Sequence, residues 1–292
     1  MSRFMFSVLI LLVSVSAFAG SKPVSVPFSI NSDGFVVVAA TVGGSDAIHA
    51  ILDTGAGLDV LAPSLIEKIH GMPAGHISVF RMNGERLDVP LFVIPELSVG
   101  PLVKKEVVVG SWDVLDKLSL AGIISIRDFR NDPITLDFVG KELIFETHRS
   151  LAKRRAEGKS SRLQLDDVRG VALDIFSSFL IGNQAGQCEI DTGSPNASVN
   201  TRYMPLMGID RDSPGVHKQE KHSITGAPEV HYWTNVPEIS LAAAPQLKLS
   251  PARVSFSNII YDCVIGVDFW RDDLLTIDIA DHQIIVTPPQ TR

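Results

Sequence analysis

Two aspartates occupy the same unusual place in this chain. Residues 50–61 read AILDTGAGLDVL and residues 189–199 read EIDTGSPNASV. In each stretch an acid closes an apolar run and is followed by Thr-Gly. A carboxylate entering a core must be paired or used. If Asp53 and Asp191 meet, they cannot both ionise easily, because like charges at short range repel. They would share one proton, and the two apparent pKa values would belong to the pair. One member would serve as general base toward water, the other as general acid toward a carbonyl oxygen. Such chemistry needs no metal, cofactor or covalent intermediate. The plainer reading is two ordinary β-turns with Gly at a left-handed position. A single Asp-Thr-Gly decides nothing, since chance supplies one in about one chain in twenty of this length.

The spacing of other landmarks raises the matched pair above chance. Asp53 and Asp191 are 138 positions apart. Residues 82–100 read MNGERLDVPLFVIPELSVG and residues 224–242 read ITGAPEVHYWTNVPEISLA, which sets Gly84 against Gly226 and Pro95 against Pro237, both at 142. Residues 123–144 and 264–285 align without a gap at 141, matching Arg130 with Arg271, Thr135 with Thr276 and Asp137 with Asp278. A period this long is the size of a domain rather than of a solenoid unit. Two similar lobes are expected, 20–147 and 164–292. Between them, 148–163 carries several basic residues and reads as a solvated linker.

The elements that must hold the two acids read mostly as strands. Residues 34–42 and 170–181 are rich in β-branched side chains and bounded by Gly and Asn. Residues 62–70 read as one short helix with Pro63 in its first turn. Many short strands and few helices predict an all-β architecture.

With those residues in view, the chain resembles the aspartic peptidases. AILDTGAGLDVL looks most like the retropepsin branch, in which each copy of a small lobe supplies one Asp-Thr-Gly. Here both copies lie on one chain, as in pepsin-like enzymes, and an exported bacterial aspartyl protease is the implied type. The resemblance implies two acid-protease β-barrel lobes with a cleft between them. It implies peptide hydrolysis by an Asp53/Asp191 dyad on a peptide or protein substrate. Thr54 and Thr192 match the threonines that cross-brace the two loops, and Gly55 and Gly193 match the glycines whose backbone approaches the carboxylates. Ser194 matches a residue that hydrogen-bonds its own lobe's acid; Ala56 cannot do so, which predicts Asp191 as the better-stabilised anion. The hairpins around Asn83 and Gly84 and around Thr225 and Gly226 would be flaps over an extended peptide, with Ala56 also lining the cleft. Cys188 and Cys263 would lie on neighbouring strands near the dyad, as a disulfide or as two buried thiols.

Four departures qualify the resemblance. Val264-Ile265-Gly266 keeps an apolar-apolar-Gly element, whereas Ile123-Ile124 is followed by Ser125. Gly57 and Pro195 stand where retroviral enzymes carry an Asp that grips substrate backbone. Neither flap tip has the tyrosine usual in pepsin-like flaps. Residues 24–31 could be a first strand or could occlude the cleft. A catalytically inactive peptide-binding protein of the same fold, or an envelope scaffold, are the rival readings.

Composition is ordinary for a globular chain of 292 residues, 45% hydrophobic and 20% charged. The formal net charge of −7 argues against a nucleic-acid partner. Residues 1–19 combine Arg3, an apolar run and a small-x-small end at Ala17 and Ala19, which reads as a secretory signal removed before Gly20; an uncleaved anchor is the rival. Export to the periplasm or medium, no stable membrane insertion after cleavage, and a monomer are expected. Eight histidines are scattered without metal-ligand spacing, and Asn196-Ala197-Ser198 matches the glycosylation triplet, where a glycan would obstruct the cleft.

Overall fold

The structure, a computed structural model, describes residues 22–289, so the 1–19 signal lies outside the described residues. Both lobes are built on one plan. In the first, the strand Val36–Val42 pairs antiparallel with Ile48–Asp53, which runs parallel to Gly122–Ser125. In the second, Ala172–Ile181 pairs antiparallel with Gln184–Ile190, which runs parallel to Cys263–Ile265. The period-2 alternation of Val36–Val42 explains its place. Val36, Val38, Ala40 and Val42 are buried, while the side chains between them are more exposed. The helix Pro63–Lys68 forms where Pro63 pre-sets the first turn, and it buries Leu65 and Ile66.

A shared sheet joins the lobes. Its strands, in order across the sheet, are Lys159–Arg162, Gln283–Thr287, Leu274–Asp278, Ile134–Asp137, Glu142–Phe145 and Val24–Ile30. Residues 24–31 therefore supply a strand of this sheet and do not block the cleft. At the centre Thr135 lies opposite Thr276, with their hydroxyls 2.7 Å apart. These two residues are equivalents in the internal repeat, so a pseudo-twofold axis passes between them.

The connecting segment 148–163 is largely exposed, as expected of a solvated linker, but it is folded. It folds as the helix His148–Glu157, capped at Thr147, followed by the strand Lys159–Arg162 of the shared sheet. Its arginines serve buried acids. Arg154 Nε donates to Glu146 Oε1 at 2.9 Å, and Arg155 Nη2 donates to Asp278 Oδ2 at 2.6 Å and also to Asp281. Glu146 and Asp278 are buried, and a buried carboxylate without a partner is strongly destabilising. The charge run was legible in the sequence; its partners, Glu146 just before the helix and Asp278 far along the chain, were not.

Candidate active site

The two Asp-Thr-Gly turns meet on the same pseudo-twofold axis. Thr54 N donates to Thr192 Oγ1 and Thr192 N donates to Thr54 Oγ1, each at 3.0 Å. Each hydroxyl then donates across the lobe boundary: Thr54 Oγ1 to Ile190 O at 2.6 Å and Thr192 Oγ1 to Leu52 O at 2.7 Å. Both threonines are fully buried. Four bonds, two from each side, lock the loops in one relative position.

Asp53 and Asp191 line one cleft, each packed against the glycine of the other lobe's turn, and their charges act on each other. Glycine is needed beside them because the turns interlock. A Cβ at Gly55 would lie 2.6 Å from Asp191 Cγ, and one at Gly193 would lie 2.3 Å from Asp53 Oδ2. Both glycine N–H groups donate to their own lobe's acid, Gly55 N to Asp53 Oδ1 at 2.9 Å and Gly193 N to Asp191 Oδ1 at 2.7 Å. The symmetry breaks one residue later. Ser194 Oγ donates to Asp191 Oδ2 at 2.6 Å, while Ala56 offers Asp53 no hydroxyl.

This difference separates the two acids electrostatically. Burial, then the Asp191 charge and its hydrogen bond, push the Asp53 carboxyl well above the usual carboxylate range. Burial raises Asp191 too, but hydrogen bonds from Ser194, Asp53 and the Gly193 N–H pull it back. The Ser194 bond therefore favours the charged form of Asp191 over that of Asp53, while the two acids titrate as one pair.

Ser125 is fully buried and tied into the first loop. Its hydroxyl donates to Ala56 O at 2.6 Å, and its N–H donates to Asp59 Oδ1 at 2.8 Å. The equivalent Gly266 has no such room, since a Cβ there would sit 2.5 Å from Ser194 O. Serine at 125 thus turns a close approach into a hydrogen bond. Asp59 also takes Arg127 Nη2 at 2.7 Å. Burial, with the Asp128 charge, still raises Asp59 to about 8. Asp59 and Arg127 were not singled out from the sequence, because only the fold brings residues so far apart together.

A cleft of about 480 Å³ opens over the dyad. Its first-lobe wall is apolar, with Ile77, Val79, Leu87, Val89, Trp112 and Ile123; Ala56 and Gly57 also line it. The second-lobe wall brings Asp166, Asp174, Glu189 and Tyr261. Gly57 explains one departure noted above: a Cβ there would lie 2.9 Å from Asp174 Oδ1. A carboxylate from the opposite lobe thus fills the space beside position 57. Asp174 and Glu189 were missed in the sequence, although Glu189 carried a signal. Strand side chains alternate, so Glu189 shares a face with Asp191.

The two hairpins correct the flap expectation. The strands Met72–Phe80 and Arg86–Val99 close through Gly84 at φ +81°, and His217–His222 and Pro228–Val236 close through Gly226 at φ +91°. The first hairpin covers the dyad cleft, but no residue of the second lines it. The second tip instead grips the first. Asn83 Nδ2 donates to Glu229 Oε1 at 2.9 Å, Thr225 Oγ1 donates to Glu85 Oε2 at 2.5 Å, and Arg81 Nη1 donates to Thr225 Oγ1 at 3.3 Å. Asn83, Gly84, Thr225 and Gly226 therefore belong to a junction between tips, outside the cleft. Asn83 and Gly84 face a separate cavity of about 680 Å³ that does not include the dyad.

Cys188 and Cys263 are register partners on parallel strands and form a disulfide, with Cα atoms 4.5 Å apart. The bridge ties the strand leading to Asp191 to the strand leading to Gly266.

No protein-family model and no curated protein sequence matches the chain. Solved structures do. The crystal structure of basic 7S globulin from soybean matches with a TM-score of 0.53 at 10% identity, over 91% of this chain and 94% of that one. The chain has the pepsin-like fold. At such low identity the likeness speaks for the pepsin-like architecture alone, and one architecture hosts many activities. The soybean protein is named as a globulin rather than as an enzyme, so activity has to be argued from the site.

Proposed function

We propose that this chain is an exported aspartic endopeptidase built from two retropepsin-like lobes. The observation that carries the reading is the asymmetric dyad: two acids on interlocked turns, of which only Asp191 receives a hydroxyl hydrogen bond, from Ser194. In the proposed reaction a peptide strand lies in the cleft beneath the first hairpin. Asp191 takes a proton from a water as that water attacks the scissile carbonyl carbon. Asp53 gives its proton to the carbonyl oxygen, forming a tetrahedral diol. Return of a proton to the amide nitrogen breaks the C–N bond and releases an acid and an amine. Both acids come from one chain, so the site is complete in a monomer. Export is supported by the signal-like residues 1–19 and by the disulfide, which persists in oxidising compartments. Among the described residues no helix is long and apolar enough to cross a membrane.

A second reading is a peptide-binding protein without activity. The hydrogen-bonded hairpin tips, which hold the cover over the cleft, favour it. One experiment separates the two: digestion of an unfolded protein mixture across a pH series, with and without a transition-state mimic such as pepstatin. Asp53→Asn and Asp191→Asn are run beside the wild type, with circular dichroism as a folding check. The endopeptidase reading expects each change to lower the rate about 10²–10⁴-fold. Cleavage that survives both changes rules it out, and a folded wild type that cuts nothing selects the binding protein.

A further inference from the structure

The second-lobe wall holds acids that nothing answers. Glu189 is 3% exposed, lines the cleft, and its side chain has no hydrogen-bond or ion-pair partner among the described residues. Asp174 and Asp166 lie opposite each other on neighbouring strands and also line the cleft. Phe176 pairs with Glu189, and continuing that register sets Asp174 opposite Asp191. The acids thus form a patch on one sheet face running away from the dyad, in steps of about 4.8 Å between strands. The only cation lining the cleft among the described residues is Arg81, which is already held by Glu85 and lies over the Trp112 ring.

The repeat shows that these acids are not demanded by the fold. The first-lobe equivalent of Glu189 is Ile51, and that of Asp174, by the same registers, is Phe35. One lobe builds this surface from apolar side chains and the other from carboxylates. A buried carboxylate without a partner is unfavourable, so in the empty cleft the ionised form of Glu189 is disfavoured. Burial and the Asp191 and Asp174 charges accordingly raise its pKa well above the usual carboxylate range. An incoming cation would remove the penalty. Among the described residues no three His, Cys, Asp or Glu side chains converge as metal ligands, so the patch fits a long organic cation better than a point ion. A lysine stem reaches about 6 Å from the backbone, enough to span from a strand above the dyad to the first of these acids.

We propose that the cleft selects peptides with a lysine or arginine on the second-lobe side of the dyad and an apolar residue on the first-lobe side, the basic group pairing with Glu189 and Asp174. This rests on reading the cleft as a peptide site, so binding and cutting are measured separately. Labelled peptides are made with an apolar residue followed by lysine or by norleucine, the pair being moved through the central positions. Binding is read by fluorescence anisotropy on the full chain carrying Asp53→Asn, alone and combined with Glu189→Gln or Asp174→Asn. Thermal melts report folding. At the favoured position the lysine peptide should bind at least about tenfold tighter. Glu189→Gln should erase that gap and Asp174→Asn should narrow it, with the norleucine peptide unaffected. Equal binding of both peptides at every position overturns the proposal, as does binding of neither, or a lysine preference that survives both changes. Cleavage by the wild type is scored on the same peptides. Cutting without a lysine preference leaves the peptidase standing and removes the basic subsite. Lysine-selective binding without cutting does the reverse.

Discussion

At the scale of residues, the difference between Ala56 and Ser194 sets the roles of two otherwise matched acids. The Ser194 hydroxyl stabilises the Asp191 anion, and no hydroxyl does this for Asp53, which has only backbone donors. The active form of such a dyad carries one proton, so its pH profile is a bell. Asp191 protonation governs the acid limb and Asp53 deprotonation the alkaline limb. Both carboxyls are raised, so the bell lies above the range of free aspartates. Ser194→Ala removes a bond that lowers Asp191 and should move the acid limb to higher pH. Ala56→Ser supplies the missing donor to Asp53 and should move the alkaline limb to lower pH. The measurement is kcat/KM against pH for the three proteins. Both limbs moving the same way would show that the proton is not divided as described. The residue difference was legible in the sequence. Its electrical consequence required the burial and contact that only the folded dyad supplies.

At the scale of elements, the dyad depends on how two strand ends are held together. The strands Ile48–Asp53 and Gln184–Ile190 each have a parallel neighbour, Gly122–Ser125 or Cys263–Ile265, and in the second lobe the disulfide adds a covalent tie. Between the lobes the bracing comes from hydroxyls. Thr54→Val keeps the shape but removes the bond to Ile190 O and leaves Thr192 N without an acceptor. Two buried polar groups lose partners, so the expected loss of stability is about 2–4 kcal/mol. Chemical denaturation reads this directly, and activity should fall with it. A variant of unchanged stability would mean that the loops are held by packing alone. The strands and the helix at Pro63 were readable from alternation and capping. The segment 148–163 is largely solvated as read, but the acids that Arg154 and Arg155 hold were not legible, because packing defines them.

At the scale of the whole molecule, one pseudo-twofold axis passes between Thr54 and Thr192 and between Thr135 and Thr276. The axis places the acids symmetrically, and the departures from it create a directed cleft. One wall is apolar, the other acidic, and one hairpin covers the site while the other clasps its tip. That clasp consists of a few side-chain bonds between half-buried groups and one backbone bond, Ile260 N to Met82 O at 2.9 Å, so opening should require breaking these few bonds. Asn83→Ala combined with Thr225→Ala should speed amide hydrogen exchange in the hairpin formed by Met72–Phe80 and Arg86–Val99, with the global unfolding midpoint almost unchanged. Exchange no faster than in the wild type would show that the cover is held elsewhere.

Sequence alone exposed matched landmarks at a near-constant offset, read the chain as strands, and pointed to the two acids and neighbours that should meet. Those features are local or periodic, and a repeat exposes them at a fixed offset. Tertiary structure alone decided that burial raises both acids, which hairpin covers the cleft, and that Asp174 faces the space beside the dyad. Each of these depends on burial or on contacts between residues remote in the chain, and neither quantity is written in any short stretch of sequence.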